Sequence, residues 1–130
     1  MSIYPFISEG GPYMIRLSTD RGLIAVDSDV YTNIAGHAAT NCFGVKGMAV
    51  RSMTDGLVHL LRREAMSKGV KVVFCEDGSI VIDLHIMVDR GVNIAAICPS
   101  IINRVQYEVT KSTGTTVKAV NVYVDSITED

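Results

Sequence analysis

The stretch Ile34-Ala35-Gly36-His37-Ala38-Ala39, followed at once by Phe43-Gly44-Val45-Lys46-Gly47-Met48, reads as a helix of small residues running into a strand. A glycine in mid-helix costs about 1 kcal/mol against alanine, so its presence implies that something approaches that backbone closely. The expectation is a packing signature with no chemistry in it. Just upstream, Asp27, Ser28 and Asp29 supply capping oxygens and a negative helix start. Val30, Ile34, Ala38 and Cys42 then mark one helix face at i, i+4 spacing.

Towards the N-terminus, Tyr13 to Leu17 alternates, and Thr19-Asp20-Arg21-Gly22 turns into Leu23-Ile24-Ala25-Val26, which predicts a hairpin. Residues 1–12 hold Pro5, Gly10, Gly11 and Pro12 and are expected to form a flexible arm, leaving 13–130 as one α+β domain. Towards the C-terminus, Val45 to Val50 predicts a strand, and Thr54-Asp55 opens a short helix with Leu57, Leu60, Leu61 and Ala65 on one side. Two strands follow around Glu76-Asp77-Gly78-Ser79. Val70, Val72 and Phe74 must share a face with Ile80, Ile82, Leu84, Ile86 and Val88, which requires an odd loop and pairs residue 74 with 82 and 72 with 84. The last helix runs from about Asn93 to Ser112, with Pro99 either kinking it or restarting it after a broken first turn. Val117 to Val124 closes the chain as a strand.

The expected fold is α+β: two main helices and one short helix on one face of a mostly antiparallel sheet, in the order β-α-β-α-β-β-α-β. Strand order in space stays open. In its ordered set of pieces the chain resembles the alkaline shock protein family of Gram-positive bacteria. The pieces are the small-residue helix and Phe43–Met48, then Gly69–Val72, Asp83–Val88 ending in Gly91-Val92, Thr113-Gly114, and Val120–Val124. The resemblance spans about Gly22 to Val124. It implies a non-enzymatic cytoplasmic protein tied to envelope stress and held at the inner face of the membrane by a separate anchor or regulatory protein. Gly36, Ala39, Gly44, Gly47, Gly69, Gly91 and Gly114 are assigned structural work only.

A chain of 130 residues, 48% hydrophobic, can bury one real core. The net charge of −2 lacks the basic excess that neutralises phosphates. Cys42, Cys75 and Cys98 form no C-x-x-C pair and read as free thiols in a reducing compartment. The N-terminus shows no charged stretch leading into an apolar run, and no segment reaches the roughly 18 uninterrupted apolar residues of a membrane span. A cytoplasmic protein, peripheral to the membrane only through a partner, is expected.

Catalysis finds little footing. Cys75, Asp83 and His85 fall on one face of the central hairpin, but same-side rungs are roughly 6 to 7 Å apart, too far for a Cys–His contact. His37, His59 and His85 lie in three different elements without metal-ligand spacing, and no phosphate-binding glycine loop exists, so no cofactor or metal is expected. A KH-like RNA-binding module, the alternative reading, needs a G-x-x-G loop between helices, which is absent.

What remains is an interaction protein that self-associates. The sheet face away from the helices carries Lys71, Val73, Cys75, Val81, Asp83, His85, Met87, Ala119, Asn121 and Tyr123, a mixture typical of a contact surface. The candidate interface is Val73, Cys75, Val81, Asp83, His85, Met87, Asn121 and Tyr123, with the N-terminal arm reaching a neighbour. Arg51, Arg62, Arg63 and Lys68 form a second candidate, a basic patch for an acidic partner.

Overall fold

The structure, a computed structural model, describes residues 2–7 and 13–128. Two sheets and two long helices are built from them. Strands β1 (Ser2–Ile7), β2 (Tyr13–Thr19) and β3 (Gly22–Asp27) pair antiparallel in that order, with Asp20-Arg21 turning the second hairpin. The arm expected at 1–12 is therefore corrected over Ser2–Ile7, whose aromatic and β-branched residues pair with β2. Pro5 is tolerated because β1 is an edge strand, where a missing N–H breaks no ladder. The rest of that arm, Met1 and residues 8–12, lies outside the described residues.

Helix α1 (Ser28–Thr40) starts where the Asp27 carboxylate accepts the Asp29 backbone N–H at 2.9 Å. Its buried face is Tyr31, Ala35, Ala38 and Ala39, turned from the expected Val30–Ile34–Ala38–Cys42 stripe. The small side chains decide this rotation: they let α1 lie close over the sheet, while Val30 stays 41% exposed.

Strand β4 (Val45–Arg51) turns through Ser52–Leu57 into β5 (Val58–Leu60), and a 3-10 helix covers Arg63–Gly69. This replaces the short helix expected from Thr54. Asp55 accepts the Leu57 N–H, and Gly56 takes a positive φ of 71°, which holds a tight loop where a helix would begin. Strands β6 (Val70–Phe74) and β7 (Ile80–Val88) form the central hairpin, with Phe74 opposite Ile80 and Val72 opposite Ile82. The face assignment of the sequence reading holds; its register is two residues off. The loop is Glu76-Asp77-Gly78, closed by Gly78 N–H to Cys75 O at 3.1 Å and Cys75 N–H to Ser79 O at 2.9 Å. Gly78, at φ 87°, supplies the left-handed residue that a three-residue hairpin needs, so the chain turns one residue earlier than Asp77-Gly78-Ser79 would.

Helix α2 (Ile94–Thr113) is one helix with Pro99 inside it, capped by Asn93 at its start and by left-handed Gly114, whose N–H reaches Thr110 O at 2.8 Å. It leads into β8 (Val117–Ile127), which lies parallel to β7. β7 is the spine of the second sheet. Along one edge Ile80–Leu84 meets β6 and Ile86–Val88 meets β4; along the other its whole length meets β8. Ile80, Ile82, Leu84, Ile86 and Val88 are fully buried under α1 and α2, and the residues between them face away from the helices.

Candidate functional site

The helix-free face grows from the period-two alternation of β7. Because even-numbered residues enter the core, Val81, Asp83, His85 and Met87 turn outward, each half-exposed. Their neighbours are set by register: Val73 on β6 lies beside Val81, and Ala119, Asn121 and Tyr123 on β8 lie beside Val81, Asp83 and His85. Lys71 lies opposite Asp83, not His85. The structure thus brings together seven of the eight candidate interface residues. Cys75, two residues beyond Val73, lies at the turn end of the hairpin, its N–H paired with Ser79 O.

Two polar pairs order this face. Asn121 Nδ2 donates to Asp83 Oδ1 at 2.8 Å. The His85 ring stacks on Tyr123 with centroids 4.9 Å apart and 13° between planes, and its Nδ1 lies 3.0 Å from Asp125 Oδ2. A carboxylate only accepts, so Nδ1 donates the hydrogen. Asp125 was missed in the sequence, although it continues the alternation Ala119, Asn121, Tyr123. Val73 and Tyr123, 43% and 46% exposed, are the apolar groups most open to a partner.

A histidine held by a carboxylate is half of a general-base arrangement, but no nucleophilic side chain among the described residues is hydrogen-bonded to the ring. Cys75 pairs with Ser79, six residues along β7 from His85, or roughly 20 Å. The other thiols are similarly placed for packing: burial pushes Cys42 up, partly offset by Arg104, and burial pushes Cys98 up, the opposite of an activated nucleophile. His37 on α1 lies 3.1 Å from Asn41 Nδ2, and His59 on β5 sits 3.8 Å from Asp55, far from a shared ligand set with His85 in chain position and element.

The basic patch divides. Arg51, Lys68 and Lys71 line one groove of about 420 Å³ with His85 and Asp125. Arg62 and Arg63, exposed at the opposite end of the 3-10 helix, do not line it. Arg51 is already engaged by the loop, donating to Gly56 O at 2.7 Å. A second groove, about 550 Å³, lies between the two long helices over Ile34, Ala38 and Met66, rimmed by His37 and the Arg104–Glu108 ion pair.

The structural residues fall into two kinds. Close packing holds at Gly69, where a Cβ would meet Met48 Cβ at 2.9 Å, Ala49 O at 3.1 Å and His85 O at 3.2 Å, and at Gly47, against the end of Leu60. Gly36 is a correction: a Cβ there would find Met66 and Val70 at an ordinary 3.5 Å, so nothing crowds that backbone. Ala39 is fully buried, and Gly44, Gly91 and Gly114 adopt positive φ.

Among the described residues no helix is long and apolar enough to cross a membrane. The chain is 37% identical over 114 residues to the uncharacterized protein YloU of Bacillus subtilis (strain 168), covering 87% of this chain and 94% of that protein. It is 38% identical over 114 residues to the uncharacterized protein Spy1614 of Streptococcus pyogenes serotype M6, covering 87% and 93%. A solved structure of a MamM CTD variant superposes with a TM-score of 0.46 at 17% identity, over 76% of this chain and 94% of that one, a likeness that carries no argument. The family model described as "ASP23 family, cell envelope-related function" matches residues 16–129, so the chain belongs to that family, the alkaline shock proteins that its ordered motifs resemble.

Proposed function

We propose that this chain performs no chemistry of its own and serves the cell envelope through self-association and protein contacts made on the helix-free face of β6, β7 and β8. The observation that carries this reading is the apolar strip Val73, Val81, Met87 and Tyr123, left half-open beside polar pairs that satisfy each other. Two of its polar pairs, Asn121 with Asp83 and His85 with Asp125, are already hydrogen-bonded, so a protein partner that covers them need not replace those bonds. The cytoplasmic side of the membrane is the proposed location, reached through an anchor or regulatory protein. Neither a cofactor nor a small-molecule substrate is part of the proposal.

Light scattering tests it. The pure protein should run above the 14.1 kDa of one chain. The double variant Val73→Glu with Tyr123→Glu should fall to one chain while its circular dichroism is unchanged, because a charge brought into a desolvated contact is costly and one left in water is not. A folded double variant that keeps the parent's mass would overturn the reading.

A further inference from the structure

Two strands share one edge of β7, and the helix-free face is notched where they meet. β4 follows that edge as far as Met48 opposite Ile86, and β6 takes it up at Val70 opposite Leu84, so His85 lies at the junction. Beyond Met48, β4 pairs with β5 instead. Gly69 fits between the two strands because it lacks a Cβ, which would meet Met48, Ala49 and His85. The groove of about 420 Å³ opens there. Lys71, His85 and Asp125 line it and belong to the helix-free face, so it opens on that face.

Its lining is unbalanced in charge. Arg51, Lys68 and Lys71 are exposed, and neither lysine has a side-chain hydrogen bond or ion pair among the described residues. Arg51 gives one N–H to Gly56 O and keeps the rest of its guanidinium donors. The carboxylate in the lining, Asp125, is only 16% exposed and is already held by His85. Asp83 stands opposite Lys71 but does not line the groove, and it accepts from Asn121. Three cations thus rim a groove whose one acid is sunken and bonded. The remaining lining, from Ala49-Val50 and Gly69-Val70, carries no charge. An uncharged base under a cationic rim matches a carboxylate on a methylene stem, which is the build of a glutamate side chain; free phosphate would meet the rim and leave the base uncovered.

We infer that this groove receives an acidic segment of the partner protein that docks on the helix-free face, a glutamate side chain lying on its base with the carboxylate against Lys68 and Lys71. The inference rests on the protein contacts proposed above and names the chemistry of the partner. A partner covering Val73 and Tyr123 lies beside the groove, because Val73 shares the outward side of β6 with Lys71 and Tyr123 stacks on His85. Opposite charge steers such a segment to the face and fixes where on it the segment lies. The basic patch expected from the sequence is redrawn accordingly: Lys71 enters it, and Arg62 and Arg63, which do not line the groove, leave it.

Fluorescence anisotropy of a labelled hexaglutamate peptide, titrated with the full chain at low salt, tests it, and hexaglutamine with the same label sets the background. Hexaglutamate should bind saturably. Lys68→Glu with Lys71→Glu, folded by circular dichroism, should weaken that binding by roughly tenfold or more, and Lys68→Gln with Lys71→Gln, which removes charge without reversing it, by several-fold. Arg62→Glu with Arg63→Glu makes the same change of net charge outside the groove and should leave the binding within about twofold of the parent's. Equal losses in the two Glu pairs, or no saturable binding by the parent, overturn the inference. Displacement of the peptide by an equal concentration of inorganic phosphate assigns the groove to a small anion and overturns it. So do phosphatidylserine vesicles that bind through the two lysines when hexaglutamate does not. The Lys68 and Lys71 variants should keep the parent's mass in light scattering, and a loss of mass assigns the groove to a second copy and overturns the acidic partner. Self-association through the face is decided apart from all of these, by the mass of the Val73 and Tyr123 double variant.

Discussion

Gly36 and Gly69 look alike in the sequence and behave differently in the structure. A methyl group at Gly36 would rest at van der Waals distance from Met66 and Val70, and the helix would gain the roughly 1 kcal/mol by which alanine exceeds glycine in propensity. Gly36→Ala should therefore raise the midpoint of thermal unfolding. At Gly69 the same methyl would press on Met48 Cβ and on two backbone oxygens, which cannot swing aside as a flexible side-chain end can. Gly69→Ala should lower stability by about 1 to 3 kcal/mol, read by urea unfolding. If the two variants shifted in the same direction, this assignment of close packing would be wrong.

The β6–β7 hairpin owes its register to its loop as much as to its faces. The Asp77 carboxylate accepts the Ser79 hydroxyl at 2.6 Å and the Ser79 N–H at 3.0 Å, and these bonds, the hydroxyl first, hold its carboxyl below the usual range. A depressed pKa means a contribution to stability that is full above the unfolded value and lost as pH falls through the folded one. The hairpin should thus loosen only under clearly acidic conditions. In Ser79→Ala the Asp77 carboxyl should titrate closer to the ordinary aspartate value of 3.8, followed by carbon-detected NMR. An unmoved titration curve would show that the hydroxyl does not set it. Asp77 is exposed, so the effect is on local order at the turn.

Across the whole molecule, a side-chain hydrogen bond ties together residues 84 positions apart in the chain. Tyr31 on α1 is fully buried, its hydroxyl 2.7 Å from the buried Thr115 Oγ1 just past α2, and its ring meets Phe74 of β6 edge to face at 5.9 Å. Burial pushes the Tyr31 phenol up, with the Thr115 and Thr113 hydroxyls opposing, so it stays protonated. Tyr31→Phe keeps the ring contact and strands Thr115, which should cost about 1 to 3 kcal/mol in thermal unfolding without changing the circular dichroism of the folded state. A variant as stable as the parent would mean that the two hydroxyls are satisfied elsewhere.

The helices, the outward face and the identity of the family were legible in the sequence because each is local or periodic. Capping oxygens at Asp27 and Asn93, the apolar stripe of α2 and the alternation of β7 act within a few residues of one another. The face that alternation leaves outward was therefore named residue by residue, Val73 to Tyr123. Tertiary structure decided what local preference leaves balanced. The stretch from Thr54 through Ala65 had the composition of a short helix, yet Val58–Leu60 within it pairs with β4, and Leu60 packs against Gly47. The stripe on α1 turned to bring its alanines onto the sheet, since a helix of small residues gains more from close approach than from burying Val30. His85 found Asp125, 40 residues away, only because β8 runs parallel to β7 with a bulge that no repeat in the sequence announces. Contacts that depend on distant backbone meeting in register have no local cause, and so only the folded chain specifies them.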